Sequence, residues 1–194
     1  MKVYAMNISS INPDDKKWYK HLSQKRIEKV ERIKKSIQKS QSIGAELLLN
    51  YAVKSEIDVK SPIEWELDSN GKLYLKDNKG LYVNLSHSGD YAVCAVHKKP
   101  VGVDIQQCRK CDKNLAERFF TESETTAINC GRISFFEIWT KKESFVKAVG
   151  RGLTIPLNSF SVLEDIIEYD GKIYHFKEYK LKNDNYKLFS CFLD

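Results

Sequence analysis

The sequence predicts an α+β protein in which helices are followed by antiparallel strands, twice over. Three observations carry that expectation. Apolar residues recur at helical spacing from Trp18 to Ile57 and again from Phe135 to Val149. Each helical stretch gives way to short alternating runs broken by Asn, Asp and Gly turns. The last strands of the two runs also echo one another: Asp90-Tyr91-Ala92-Val93-Cys94 against Asn185-Tyr186-Lys187-Leu188-Phe189, a faint mark of an internal repeat.

Met1 to Ile8 reads as a first strand. Asn12-Pro13-Asp14-Asp15 is expected to open a helix, with Pro13 suited to its first turn. Trp18, Leu22, Ile27, Val30, Ile33 and Ile37 would line its inner face, with Lys and Arg outward. A second helix is expected over Ser42–Ile57. Strands follow at Ile63–Leu67, Lys72–Leu75, Leu81–Leu85, Tyr91–His97 and Val101–Ile105, with turns at 68–71 and at Asp77-Asn78-Lys79-Gly80. Ser86-His87-Ser88-Gly89 is read as the turn where one strand ends. Leu115–Phe120 is a short helix, and Thr121 with Glu124 has capping-box spacing for the next. Four more strands are expected at Phe160–Leu163, Ile166–Tyr169, Lys172–Tyr179 and Tyr186–Leu193.

The stretch from Phe135 to Leu153 is the centre of the reading. Ser134 and Glu137 have capping spacing at its start, and Gly150 and Gly152 supply the stop. At about 100° per residue, Phe135, Ile138, Trp139, Phe145, Val146 and Val149 share one arc. Glu143 and Lys147 lie at its border, where an ordinary i, i+4 ion pair would contribute ~0.3–0.5 kcal/mol.

Of the 194 residues, 42% are hydrophobic and 30% charged, enough for a core and a soluble surface. No apolar run approaches the ~20 residues of a membrane helix, and no secretory signal is read at the N-terminus. Five cysteines at no disulfide-scaffold density suit a reducing cytoplasm. Cys108-Arg109-Lys110-Cys111 has CxxC spacing but lacks the second pair a zinc ribbon requires. From Lys20 to Lys39, eight Lys or Arg stand against two Glu, which accounts for the whole net charge of +6. The segment is either a solvated face or a site for an anionic partner.

Two stretches carry candidate chemistry. The small hydroxyls, histidine and glycine of Ser86–Gly89 can offer donors to a phosphate, or form a structural turn. Asp104 stands in an otherwise apolar strand, so it must be paired or metal-bound. Gln106 points to the same face. Glu143 offers a second carboxylate, and two carboxylates with phosphates and waters are how Mg²⁺ is usually held. The competing possibility is a buried Asp104–Lys ion pair.

The segments Asn84-Leu85-Ser86-His87-Ser88-Gly89, Gly102-Val103-Asp104-Ile105, Arg118-Phe119-Phe120 with Glu124, and Trp139-Thr140-Lys141-Lys142-Glu143-Ser144-Phe145-Val146-Lys147 with Gly150-Arg151-Gly152-Leu153 occur in a familiar order and spacing. With them the chain resembles the 4′-phosphopantetheinyl transferases of the surfactin-synthetase-activating type, most closely from Val83 to Leu163. The resemblance implies an α+β fold of two similar halves, 1–98 and 99–194, related by a pseudo-twofold axis. Each half would pack helices on a small antiparallel sheet. It implies transfer of the phosphopantetheine arm of coenzyme A to a serine of an apo acyl- or peptidyl-carrier protein, with release of 3′,5′-ADP.

By resemblance, Asp104 and Glu143 are metal-binding acids, for Mg²⁺ or Mn²⁺, with Gln106 beside them. Lys147 and His87 meet the phosphates, and Glu124 is a candidate base. Ser86, Arg26, Lys29, Ser42 and Lys72 line the coenzyme A pocket. Gln106 stands where relatives often carry a third acid. Gln38 and Gln41 replace an aspartate and an arginine, and Gly71-Lys72 lacks a following proline. The expected protein is a cytoplasmic monomer that uses neither membrane nor nucleic acid. The alternatives are a coenzyme A-binding relative without turnover and a basic nucleic-acid-binding protein, which would leave Asp104 and Glu143 without a role.

Overall fold

The structure, a computed structural model, describes residues 1–76, 80–110 and 114–194. The expected turn at 77–80 therefore lies outside the described residues except for Gly80, as does Cys111 of the CxxC pair. In chain order the elements are β1 (Lys2–Asn7), α1 (Gln24–Arg32), α2 (Ser36–Lys54), β2 (Trp65–Leu67), β3 (Leu73–Leu75), β4 (Tyr82–Ser88), β5 (Tyr91–His97) and β6 (Val101–Gln107). They continue with α3 (Asn114–Phe119), α4 (Glu122–Asn129), α5 (Phe135–Val149), β7 (Ile166–Tyr169), β8 (Lys172–Glu178) and β9 (Tyr186–Leu193).

Two antiparallel sheets dominate, one in the order β1-β5-β4 and the other β6-β9-β8-β7, with β2-β3 as a separate hairpin. α2 lies on the first sheet and α5 on β6 and β9. The two echoing segments, β5 and β9, occupy inner positions of their sheets, and their tyrosines meet: the rings of Tyr91 and Tyr186 are 5.0 Å apart, edge to face. β4 and β6 run side by side where the sheets adjoin. Val103 N donates to Asn84 Oδ1 at 2.9 Å and Gln107 N to Ser88 Oγ at 3.0 Å. Among the described residues, no helix is long and apolar enough to cross a membrane.

Four expectations differ. Asn12–Asp15 does not open a helix. The side chains of Asn12 and Asp15 accept from the backbone N–H of Asp14 and Lys17, and such Asx turns compete with helix formation. α1 starts only at Gln24, after Ser23 caps it through the Arg26 N–H. The basic segment is not one helix: Ile33 and Lys35 take extended backbone and α2 begins at Ser36, leaving Ile37 47% exposed. Ser86–Ser88 belongs to β4, and the turn is Gly89-Asp90, with Gly89 at φ +51°. Finally, 160–163 is not a strand. It is an irregular strap crossing α5, because buried side chains of α4 and α5 take its backbone groups.

Candidate active site

α5 supplies one wall. Ser134 Oγ accepts from Glu137 N at 3.1 Å, and Gly150 ends the helix at φ +80°. The helix buries more than its apolar arc: Lys141 is 3% exposed and Lys142 0%. β6 supplies the floor. A Cβ on Gly102 would overlap Ser144 O and Ala148 N of α5, so glycine alone lets strand and helix backbones approach this closely.

That approach brings Lys147 to Asp104. Lys147 Nζ is 2.6 Å from Asp104 Oδ1, and also donates to Ser86 Oγ at 3.2 Å and Val103 O at 3.3 Å. Ser86 Oγ donates to the same Oδ1 at 2.7 Å, and Gln106 Nε2 to Oδ2 at 3.1 Å. Asp104 is 2% exposed and needs these donors, since an uncompensated buried carboxylate is costly. Of the two ion pairs the sequence allows, the one present is the buried Asp104–Lys pair, made between β6 and α5, and not the i, i+4 pair of Glu143 with Lys147.

Among the described residues, Glu143 therefore has no hydrogen bond or ion pair. Desolvation raises its pKa above the ordinary value, Lys147 pulls it back, and the charge of Asp104 raises it further. His87 is held below its ordinary value, first by desolvation and then by Lys147, Lys29 and Arg26.

These side chains line one continuous cleft. A hollow of about 390 Å³ is walled by Ser86, Asp104, Gln106 and Trp139. It shares Leu85, His87, Glu143 and Lys147 with a larger one of about 440 Å³, reaching Arg26, Lys29 and Lys72. Arg26, Lys29 and Lys72 thus stand at the far end and Asp104 at the near end, with His87, Glu143 and Lys147 where the two hollows meet. Lys29 lines the wall with its pKa lowered by desolvation and then by Arg26. Lys72 also lines it, but its Nζ donates to Ala148 O at the end of α5 at 2.7 Å. Ser42 stands behind the wall and accepts from Arg26 Nη1 at 3.2 Å.

Glu124 is the exception. It is 0% exposed, completes the capping box of α4, accepts from Val162 N at 2.8 Å and pairs with Lys142 Nζ at 2.9 Å. With both oxygens hydrogen-bonded inside the protein and no exposure, it is not among the residues lining the cleft, and it is not carried forward as a base. Lys142, which also donates to the carbonyls of Leu157 and Phe160, was not foreseen. Nor was Glu46, although a lone acid in Ile43–Leu49 carries the same signal that singled out Asp104.

Among the described residues, no three His, Cys, Asp or Glu gather into a metal cage. The cleft instead offers two carboxylates, close enough for one to shift the pKa of the other, and open space beside them. That donor set fits a hard cation that keeps waters and shares phosphate oxygens.

A family model described as the 4′-phosphopantetheinyl transferase superfamily matches residues 100–187. The 4′-phosphopantetheinyl transferase gsp of Aneurinibacillus migulanus is 46% identical over 85 residues, 41% of this chain and 36% of the relative. The 4′-phosphopantetheinyl transferase Sfp of Bacillus subtilis (strain 168) is 27% identical over 89% of this chain and 80% of the relative. The 4′-phosphopantetheinyl transferase psf-1 of Bacillus pumilus is 31% identical over 83% of this chain and 74% of the relative. The chain spans about a third of the first relative and about three quarters or more of the other two. With the family match covering β6 and α5, and the likeness to psf-1 spanning most of both chains, the chain belongs to the 4′-phosphopantetheinyl transferase superfamily, surfactin-synthetase-activating type.

Proposed function

We propose that this chain transfers the 4′-phosphopantetheine arm of coenzyme A to a serine of an apo acyl- or peptidyl-carrier protein. The observation that carries the reading is the polarity of the cleft. Arg26, Lys29 and Lys72 make one end fit for phosphates, Asp104 lies at the other, and His87, Glu143 and Lys147 stand between, fit for cation and proton chemistry on a bound phosphate. The serine oxygen forms a bond to the β-phosphorus. The bond from that phosphorus to the bridging oxygen breaks, and 3′,5′-ADP leaves with the electron pair.

Arg26 and Lys29 hold the 3′-phosphate end. Lys147, whose three N–H donors reach Asp104, Ser86 and Val103, turns one of them to the pyrophosphate, and His87 donates beside it. Glu143, without a hydrogen bond or ion pair among the described residues and with a raised pKa, takes the serine proton. Asp104 and Glu143, with Gln106 beside them, would hold Mg²⁺ or Mn²⁺, which when bound neutralises charge on the pyrophosphate. The halves 1–98 and 99–194 close the site between them, in a cytoplasmic monomer.

The test is incubation with coenzyme A, Mg²⁺ and a panel of apo-carriers, followed by mass spectrometry. The expected result is a gain of about 340 Da on one carrier serine, a covalent group transfer. Coenzyme A binding without any gain across the panel would favour the reading of a relative without turnover.

A further inference from the structure

We infer that Glu46 is a positioning residue that presets Arg26 and thereby sets the preference for coenzyme A over its dephospho form. The inference rests on the proposed reading that Arg26 meets the 3′-phosphate. Glu46 lies on α2 and is 0% exposed. It accepts from Arg26 Nε at 2.8 Å, Trp65 Nε1 at 3.0 Å and the backbone N–H of Ser23. One buried carboxylate thus ties the cap of α1, the Arg26 side chain and β2 together.

Arg26 is 5% exposed, yet it reaches the cleft wall. Its guanidinium stands 4.9 Å from the Trp65 ring centre, a stacking contact that fixes the plane. Nε is held by Glu46 and Nη1 by Ser42. Rotation about the side chain is therefore restrained, and Arg26 lines the same part of the cleft as Lys29 and His87, with the N–H groups not taken by Glu46 and Ser42 left for a ligand. A fork held in place before the ligand arrives loses little freedom on binding, and preorganisation of this kind appears as affinity. The neutral ends of a ligand gain nothing from it, so the effect falls on the phosphate that the fork meets.

The experiment is calorimetric titration of the full chain with coenzyme A and with dephospho-coenzyme A. Glu46→Gln keeps the shape but removes the charge that holds Nε. Its Kd for coenzyme A should rise about tenfold, the size of one weakened charge-assisted contact, with little change for the dephospho form. Arg26→Lys keeps the cation but has no Nε–H for Glu46, so it tests the same link if Glu46→Gln does not fold. It should show the same selective loss, and added to Glu46→Gln it should cost little more. Equal weakening for both ligands, or additive losses, would overturn the inference. Arg26→Gln separates the two claims. If it erases the preference while Glu46→Gln keeps it, the inference alone fails. If it leaves the preference intact, the reading of Arg26 fails and takes the inference with it.

Discussion

Asp104 accepts from Ser86, Lys147 and Gln106, while its neighbour Glu143 has no protein donor among the described residues. The two acids therefore respond differently to change. Glu143→Gln should lower transfer on the order of a hundredfold or more, as for loss of a charged group acting at the reacting atoms. Its effect on stability has the opposite sign. The folded-state pKa of Glu143 lies above the ordinary 4.5, so the folded protein binds the extra proton and stability falls as pH rises from 4.5 through that raised value. Melting curves of Glu143→Gln should match the parent in acid and lie at or above it at neutral pH. A lower melting point at neutral pH would mean that Glu143 is a structural partner. Gln106→Glu tests the other acid. It would exchange an N–H donor 3.1 Å from Asp104 Oδ2 for a like charge. Without metal the variant should melt earlier than the parent, and Mg²⁺ should raise its melting point more. An equal Mg²⁺ response in both proteins would remove position 106 from the site. Asp104 was legible because an acid in an apolar strand must be compensated. That a lysine could pair with it was legible too, but neither which lysine nor Ser86 was, because both come from elements distant in sequence and the i, i+4 spacing pointed Lys147 to Glu143 instead.

At the scale of elements, the site exists because α5 and β6 touch backbone to backbone at Gly102. The Gly102→Ala methyl would meet Ser144 O and Ala148 N, and neither is a side chain that can rotate away. The helix must lift, at a cost of about 1–3 kcal/mol or more, the usual range for overpacking a close contact. Lys147 rides on that helix, so its contact with Asp104 must lengthen. Transfer by Gly102→Ala should therefore fall further than the urea midpoint implies, assayed where the variant is still folded. A stability loss with full activity would show that the spacing of α5 does not matter to the chemistry. α5 itself was legible from its caps and periodicity, as were β5 and β9 from their apolar runs. The strap at 160–163 was not, because its alternation mimics a strand while Lys142 and Glu124 take its backbone groups. The break between α1 and α2 was hidden too, since no glycine or proline marks Ile33–Lys35.

At the scale of the molecule, the question is whether the two sheets are separate cooperative units. One buried cluster answers it in apolar terms: Val93 and Ala95 of β5 pack with Val101, Val103 and Ile105 of β6 and with Tyr186 and Leu188 of β9. Polar links cross the same boundary, from Asn84 to Val103, Ser88 to Gln107, Tyr186 to Asp90 and Lys72 to Ala148. Unfolding either sheet alone would expose that cluster to water and forfeit these links, one buried and three part-buried, each with a net contribution of about 0.5–1.5 kcal/mol. The intact chain should therefore unfold in a single transition, with calorimetric and van't Hoff enthalpies equal. The proposed cleft draws Arg26, Lys29 and His87 from one side of the boundary and Glu143 and Lys147 from the other. Coenzyme A at about a hundred times its Kd adds about 2.7 kcal/mol to the folded state. For a chain of this length that moves the melting point by about 5–10 °C. The whole transition should move together. A second transition, or a shift confined to part of the curve, would show that the sheets fold independently and that the ligand engages only one of them.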